Sequence, residues 1–398
     1  MPVDGRRACA PTSYAKAVGA LTRSLLAALA ALLVLSTGAA GTAAPPRTDP
    51  STTGKIADPP EWAEAWAARL SLEQRIGQLL IVGFDGLRPP GWLRSALRSG
   101  RLSGTVLFRG NIGSKGELRA LSGSLREASH GGALISVDQE GGLVRRVPFA
   151  GPVRAQSEQG SAQRVKRIAR ANGRRLRQFG FNVNFAPVAD VPAGRQSDIF
   201  PRAFSGPQSV VARKVVAALQ GYREGRVAAA VKHFPGLGAA PRNTDDAAVV
   251  IHRSSRELRR IDLVPFAAAI AANVELIMVS HATYTGLDPD RIASQSRTVL
   301  QGVLRNELHY DGAVVTDALE ARAALGSHSV ERAAERSLVA GCDLLLMTRP
   351  SSYRPTFERV LSRALASPGV RRRVRESAAR VLTLKRGLGL QLPRPGRQ

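Results

Sequence analysis

Along this chain, short apolar runs recur between longer stretches of helical periodicity. The runs cover 79–84, 104–108, 133–137, 183–187, 228–233, 276–281, 313–316 and 343–347. Each has the length of a buried strand, and none is long enough for a helix of its own. Between them lie amphipathic stretches, for example 163–177, 209–224 and 330–340. Ser71-Leu72-Glu73-Gln74 opens the first of the barrel-adjacent helices with a capping-box pattern. Eight strands alternating with helices predict a parallel sheet, and eight such units predict a closed (β/α)8 barrel over 61–390. A doubly wound sheet is the competing architecture. It would need a glycine fingerprint after the first strand, which Gly83-Phe84-Asp85-Gly86 does not provide.

Polar residues gather where this pattern ends its strands. Asp138 and Glu140 follow the third run, Asp190 the fourth, and Lys232-His233 closes the fifth. His281 closes the sixth and Asp317 the seventh. In a barrel those ends form one face, the face that carries chemistry. The run 228–231 also delivers its cation and imidazole into a Pro235-Gly236-Leu237-Gly238 turn and a polar loop, Asn243-Thr244-Asp245-Asp246.

Composition narrows the chemistry. The chain has 398 residues and a formal charge of +26, yet only 5% aromatics, and its arginines are scattered along helices rather than interleaved with aromatics. That predicts a solvated basic surface, suited to an anionic cell wall, and no nucleic-acid site. The two cysteines lie at positions 9 and 342, and the six histidines are dispersed, so no metal cluster, disulfide or cofactor is expected. Gly-x-Ser-x-Gly and phosphate-loop motifs are absent. Paired carboxylates are the chemistry best supplied. Residues 1–44 read as an export signal: basic residues, an apolar core over 25–35, then small residues. The core is too short to span a membrane as a helix. A proline-rich linker (45–60) follows, and 391–398 reads as a basic tail. The mature protein is therefore expected outside the cytoplasm, secreted or wall-associated, with no membrane span.

Taken singly, each candidate has an ordinary structural explanation. Asp317 could cap a helix, and Asp138 could simply form a turn. Lys232 could pair with Asp190 or Asp317, and Arg202 could be a surface charge. Because side chains alternate along a strand, Lys232 and His233 should also point to opposite sides unless the strand is ending. As a nucleophile, Asp317 would need ionisation secured by nearby Lys232 and Arg146.

The ordered set of motifs is more specific. Asp138-Gln139-Glu140-Gly141-Gly142 with Arg146 comes first. It is followed by Phe185-Ala186-Pro187-Val188-Ala189-Asp190, Arg202-Ala203-Phe204, Lys232-His233-Phe234-Pro235-Gly236 and Thr316-Asp317-Ala318-Leu319. In this order they resemble family 3 glycoside hydrolases, in the single-domain β-N-acetylglucosaminidase branch. The resemblance implies a retaining hydrolysis with Asp317 as nucleophile and a glycosyl-enzyme intermediate. It also implies sugar binding by Asp138, Arg146, Arg202, Lys232 and His233, and an N-acetylglucosamine-terminated oligosaccharide as substrate. The branch carries Pro-Gly-His-Gly and then Asp-Ser-His as its acid/base loop. Here Leu237 replaces the first His, Asn243 the Asp, and Asp245 the catalytic His. Three readings stay open. Asp245 is the acid/base, its pKa raised by burial and Asn243 donating to it; or Asp246 or His252 reaches in; or the protein binds sugar with little turnover. β-Glucosidase-type specificity and a salt-sensitive scaffold for anionic wall polymer are further alternatives.

Overall fold

The computed structural model describes residues 58–395. The expected export signal, the linker up to residue 57 and the last three residues lie outside them. All eight expected strands form: β1 (Leu80–Val82), β2 (Gly104–Val106), β3 (Leu134–Val137), β4 (Val183–Asn184), β5 (Ala228–Phe234), β6 (Leu276–Val279), β7 (Ala313–Thr316) and β8 (Leu345–Met347). They are parallel and ordered 7-6-5-4-3-2-1-8. A bridge between Val315 and Leu344 joins the two ends of that order, which makes the sheet a barrel.

Alternation along each strand divides the core in two. Ile81, Val106, Leu134, Val183, Leu276, Met278, Val315 and Leu346 fill the barrel interior with Phe185. Their neighbours Leu80, Val82, Ile135, Val137, Ile277, Val279 and Val314 belong to the outer core with the helices. Every strand is thus buried on both faces, which explains why the sequence shows continuous apolar runs rather than alternation. Val381 and Leu384 of the helix Pro368–Gly387 pack into the interior cluster and plug it.

The helices expected at 163–177, 209–224 and 330–340 form at Ala162–Gln178, Gln208–Glu224 and Val330–Ala340. The Ser71 capping box is present, with Gln74 N donating to Ser71 Oγ at 3.2 Å and Ser71 N donating to Gln74 Oε1 at 3.2 Å. Two boundaries differ from expectation. Most strands are shorter than their apolar runs, because ladder pairing stops where the chain splays into loops. Residues 391–395 are also not a free tail. Gln391 N donates to Gly131 O at 3.3 Å, and Trp66 Nε1 donates to Pro393 O at 3.1 Å.

The interior cluster makes a stability prediction. Leu276 is almost fully buried in it, so Leu276→Ala should lower unfolding stability by about 2–5 kcal/mol, read as a shifted urea midpoint with an unchanged slope.

Candidate functional site

At the C-terminal face of the barrel, a cavity of about 250 Å3 is lined by Asp138, Arg146, Arg202, Lys232, His233, Asp245 and Asp317, among others. Met278, from the barrel interior, and Phe108 also line it. The volume is just below the roughly 300–1,000 Å3 usual for ligand pockets and fits one monosaccharide unit. A larger hollow of about 610 Å3 lies elsewhere, lined by residues such as Arg297, Ala324 and Arg336. Its acid Glu335 is occupied by Arg359 and Arg363, at 2.6 and 2.5 Å. The first cavity brings the carboxylates of Asp245 and Asp317 together at the ends of the barrel strands.

A buried acid, Glu140, organises the floor. Arg202 grips it bidentately, Nε to Oε2 at 3.0 Å and Nη2 to Oε1 at 2.8 Å. Lys232 Nζ lies 2.7 Å from Glu140 Oε1 and donates to Asp138 Oδ1 at 2.6 Å. Burial alone would raise the Glu140 carboxyl, but the Arg202 and Lys232 charges outweigh it and hold the group well below the usual range. Lys232 is likewise pushed down by burial and pulled up further by Asp138 and Glu140, so it stays an ammonium. Lys232 therefore does not pair with Asp190 or Asp317, and Arg202 is no surface charge. In both cases Glu140 decides. The sequence shows this acid two residues after Asp138, before a double glycine, but assigns it no partner. Its spacing from Asp138 was the available signal.

Lys232 and His233 both line the cavity, against strict strand alternation. The ladder to β6 shifts register between Val231 and Phe234, so alternation breaks at this point. The peptide between them is cis. Asp190 stands behind the imidazole: its Oδ2 lies 2.8 Å from His233 Nδ1, and its Oδ1 accepts from His233 N at 3.1 Å and Leu237 N at 2.7 Å. One carboxylate thus orients the ring and the turn after it. The opposite ring atom, Nε2, lies 4.0 Å from Asp317 Oδ2.

Asp317 follows β7 with its side chain 21% exposed. Burial raises its pKa, but His233, His281 and Lys232 pull harder, so the net shift is downward and the group is ionised at neutral pH. Ala318 N adds a hydrogen bond to Asp317 Oδ1 at 2.8 Å. Arg146, expected to secure this charge, is not among the groups that do so. It lies over Phe108, 5.9 Å from the ring centroid, and its Nε is buried without a partner among the described residues. A cavity-lining donor left unsatisfied suits a ligand oxygen. His281 stands behind Asp317, between Ser294 Oγ at 2.7 Å from Nδ1 and Ala318 O at 3.1 Å from Nε2. Burial lowers its pKa despite Asp317, and its contact with Ala318 O fixes the turn that carries Asp317.

The loop from Gly236 to Asp246 is fixed by backbone. A Cβ on Gly238 would collide with the Val191 carbonyl, and Gly236 has φ +135 with Asp262 beside it. Both positions therefore require glycine. Further along, Arg322 N and Ala323 N donate to the carbonyls of Asp245 and Thr244, each at 3.1 Å. Asp245 lines the cavity while remaining open to solvent. Partial burial, then the neighbouring Asp317 charge, pushes its carboxyl up to about 6. Asn243 does not donate to that carboxyl as expected. Its Oδ1 accepts from Asp245 N at 2.9 Å, an Asx turn that shapes the loop. Asp246 and His252 are exposed and do not line the cavity, so the loop presents Asp245 instead. Among the described residues no group of side chains could hold a metal ion.

Comparison with known proteins agrees with this geometry. Residues 71–384 match the glycosyl hydrolase family 3 N terminal domain. A β-hexosaminidase of Stenotrophomonas maltophilia (strain K279a) is 32% identical over 297 residues, covering 72% of this chain and 88% of that protein. The solved β-N-acetylhexosaminidase of Beutenbergia cavernae DSM 12333 aligns with a TM-score of 0.73 and 32% identity, over 79% of this chain and 98% of that one. A family 3 β-N-acetylglucosaminidase structure from Paenibacillus sp. str. FPU-7 aligns with a TM-score of 0.76 and 31% identity, over 81% of this chain and 64% of that longer chain. An eight-stranded barrel with these carboxylates at its C-terminal mouth, matched over most of its length, belongs to glycosyl hydrolase family 3.

Proposed function

We propose that this chain is a retaining glycosidase that releases terminal β-N-acetylglucosamine, with Asp317 as nucleophile and Asp245 as acid/base. The observation that carries the reading is the division of charge between two carboxylates in one cavity. Asp317 is held ionised, while Asp245 is raised to about 6. One acid is thus ready to attack and the other able to donate a proton, the division of labour glycosidases need. Asp138, Lys232 and Arg202 present a charged floor for sugar hydroxyls, and Arg146 Nε is a free donor beside them. Attack by Asp317 on the anomeric carbon forms the glycosyl ester as the Asp245 proton passes to the leaving oxygen. Water, deprotonated by Asp245, then cleaves the ester. The acetamido preference draws its support from the relatives, which are named β-hexosaminidase and β-N-acetylhexosaminidase.

The apolar and small-residue pattern of residues 1–44 supports export, and the charge of +26 supports electrostatic contact with an anionic wall. No described helix is long and apolar enough to cross a membrane.

Assays with aryl N-acetylglucosaminides test the reading. The wild type should release the aryl group and Asp317→Ala should lose at least about 10³-fold in kcat, consistent with removal of a nucleophile. Release from no aryl glycoside, or an unaffected Asp317→Ala, would overturn the assignment and leave a sugar-binding protein. Asp245 donates only when protonated, whereas Asp317 attacks only when ionised. The profile of kcat/KM should therefore be flat at mildly acidic pH and fall as pH rises through about 6, the value to which Asp245 is raised. Asp245→Asn should abolish that limb, and azide should restore part of the turnover. Glu140→Gln leaves Lys232 and Arg202 without their shared buried anion. Loss of one partner of such a pair costs roughly 2–5 kcal/mol in related settings. KM should accordingly rise more than tenfold while the pH limb near 6 stays in place.

A further inference from the structure

We propose that the N-terminal mouth of the barrel, opposite the sugar cavity, is a binding site for a small oxyanion, phosphate or carboxylate, centred on Lys385. Lys385 sits in the last turn of the helix Pro368–Gly387, directly after Leu384, which plugs the barrel interior. Only 3% of the residue is exposed. Among the described residues its one hydrogen-bond partner is a neutral amide oxygen, Gln78 Oε1, at 2.8 Å. The amide nitrogen of Gln78 is already occupied by Gly100 O at 3.2 Å. A buried ammonium carries three donors and a full charge, and such groups are paired in stable proteins.

Comparison within the molecule marks this lysine as the exception. The other buried cations among the described residues are Lys232, Arg305 and Arg380. Lys232 meets Glu140 at 2.7 Å, while Arg305 and Arg380 lie 2.8 and 3.9 Å from Asp343. Lys385 has no carboxylate. It lines a cavity of about 310 Å3, ample for a phosphate or a small carboxylate. Three further basic side chains line the same cavity: Arg98, which ends the helix Gly91–Arg98, His130, which follows the helix Lys115–Ala128, and Arg394 of the C-terminal segment. No Asp or Glu lines it. Four basic side chains from four elements surround one hollow, and the innermost meets no carboxylate.

The cavity is also where the ends of the fold meet. Gln74 Nε2 donates to Arg394 O at 2.9 Å, and Gln391 N donates to Gly131 O at 3.3 Å. An anion there would tie the C-terminal helix and segment to the helices of the first two barrel units. Its expected consequence is stability rather than catalysis. Burial pushes the Lys385 amine down to about 7, so anion binding above that pH should draw a proton onto Nζ. The charged and titratable side chains that line the cavity with it are Arg98, His130 and Arg394; the other polar ones, Gln74, Gln78, Ser129 and Gln391, are neutral.

Titration of the full chain with inorganic phosphate, at ionic strength held constant with sodium chloride, tests the site by thermal unfolding and calorimetry. Acetate in a parallel arm distinguishes a carboxylate preference from a phosphate one. Expected are a saturable rise in Tm with at least one of the two anions, its loss in Lys385→Met, and an affinity at least tenfold weaker in Arg98→Ala. At pH 8 the binding heat should change between buffers of different ionisation enthalpy, reporting proton uptake. Equal shifts in wild type and Lys385→Met, or no saturable binding in the wild type, would overturn the proposal. If Lys385→Met fails to fold, Arg98→Ala and the buffer comparison decide: unchanged affinity with no proton uptake would overturn it equally.

Discussion

The site depends on the neutralisation of a buried carboxylate. Glu140 lies under the cavity with almost no exposure, and two cations close on it, Lys232 from β5 and Arg202 from the loop after β4. Left alone, a desolvated carboxylate would take up a proton; held between Lys232 and Arg202 it stays charged and fixes both. The two cations in turn reach outward. Lys232 holds Asp138 and lowers Asp317, while Arg202 lies 3.5 Å from His233 Nε2 and also feels Asp317. Lys232 and Arg202 are thereby set by one acid that itself does not line the cavity. Asp190 plays the same part on the next strand, orienting His233 and the turn that begins the acid/base loop.

The fold was largely legible in the sequence because a parallel barrel buries both faces of every strand. Eight continuous apolar runs follow from that fact, and all eight became strands. Strand ends were less legible. Pairing stops where loops begin to serve the site, which no hydrophobic pattern records. The docking of residues 391–395 was invisible for a similar reason: backbone atoms make the contacts at Gly131 and Trp66. For the site, position after a strand identified Asp138, Lys232, His233 and Asp317. Partnership could not be read in the same way. Glu140 is 62 residues from Arg202 along the chain, and only closure of the barrel brings them together. Asn243 shows the converse limit. Its type was compatible with a donor to Asp245, but the short loop made it an acceptor for the backbone instead.

With Asp245 as the proposed acid/base, the altered loop becomes a question of charge. An imidazole near Asp317 is drawn toward its cation and so holds a proton readily. A carboxyl in the same position feels Asp317 as a like charge, and that repulsion also favours its protonated form, as does partial burial. Both chemistries therefore deliver a proton donor from the same loop, by opposite signs of interaction with the proton's carrier. The difference lies in the pH at which the donor is lost and in its coupling to the reaction. On the proposed assignment, Asp317 loses its negative charge when it forms the glycosyl ester, and the repulsion that raised Asp245 disappears with it. The pKa of Asp245 then drops, so the group ionises when the second step needs a base. An imidazole would respond in the same direction, since loss of the same anion also lowers its affinity for a proton. Either residue becomes more basic-form when the ester forms, and the nucleophile itself times the change. The arrangement therefore demands proximity between the two carboxylates more than the identity of the second group. With Asp245 raised to about 6, the proposed proton donor is expected to work on the acidic side of neutrality.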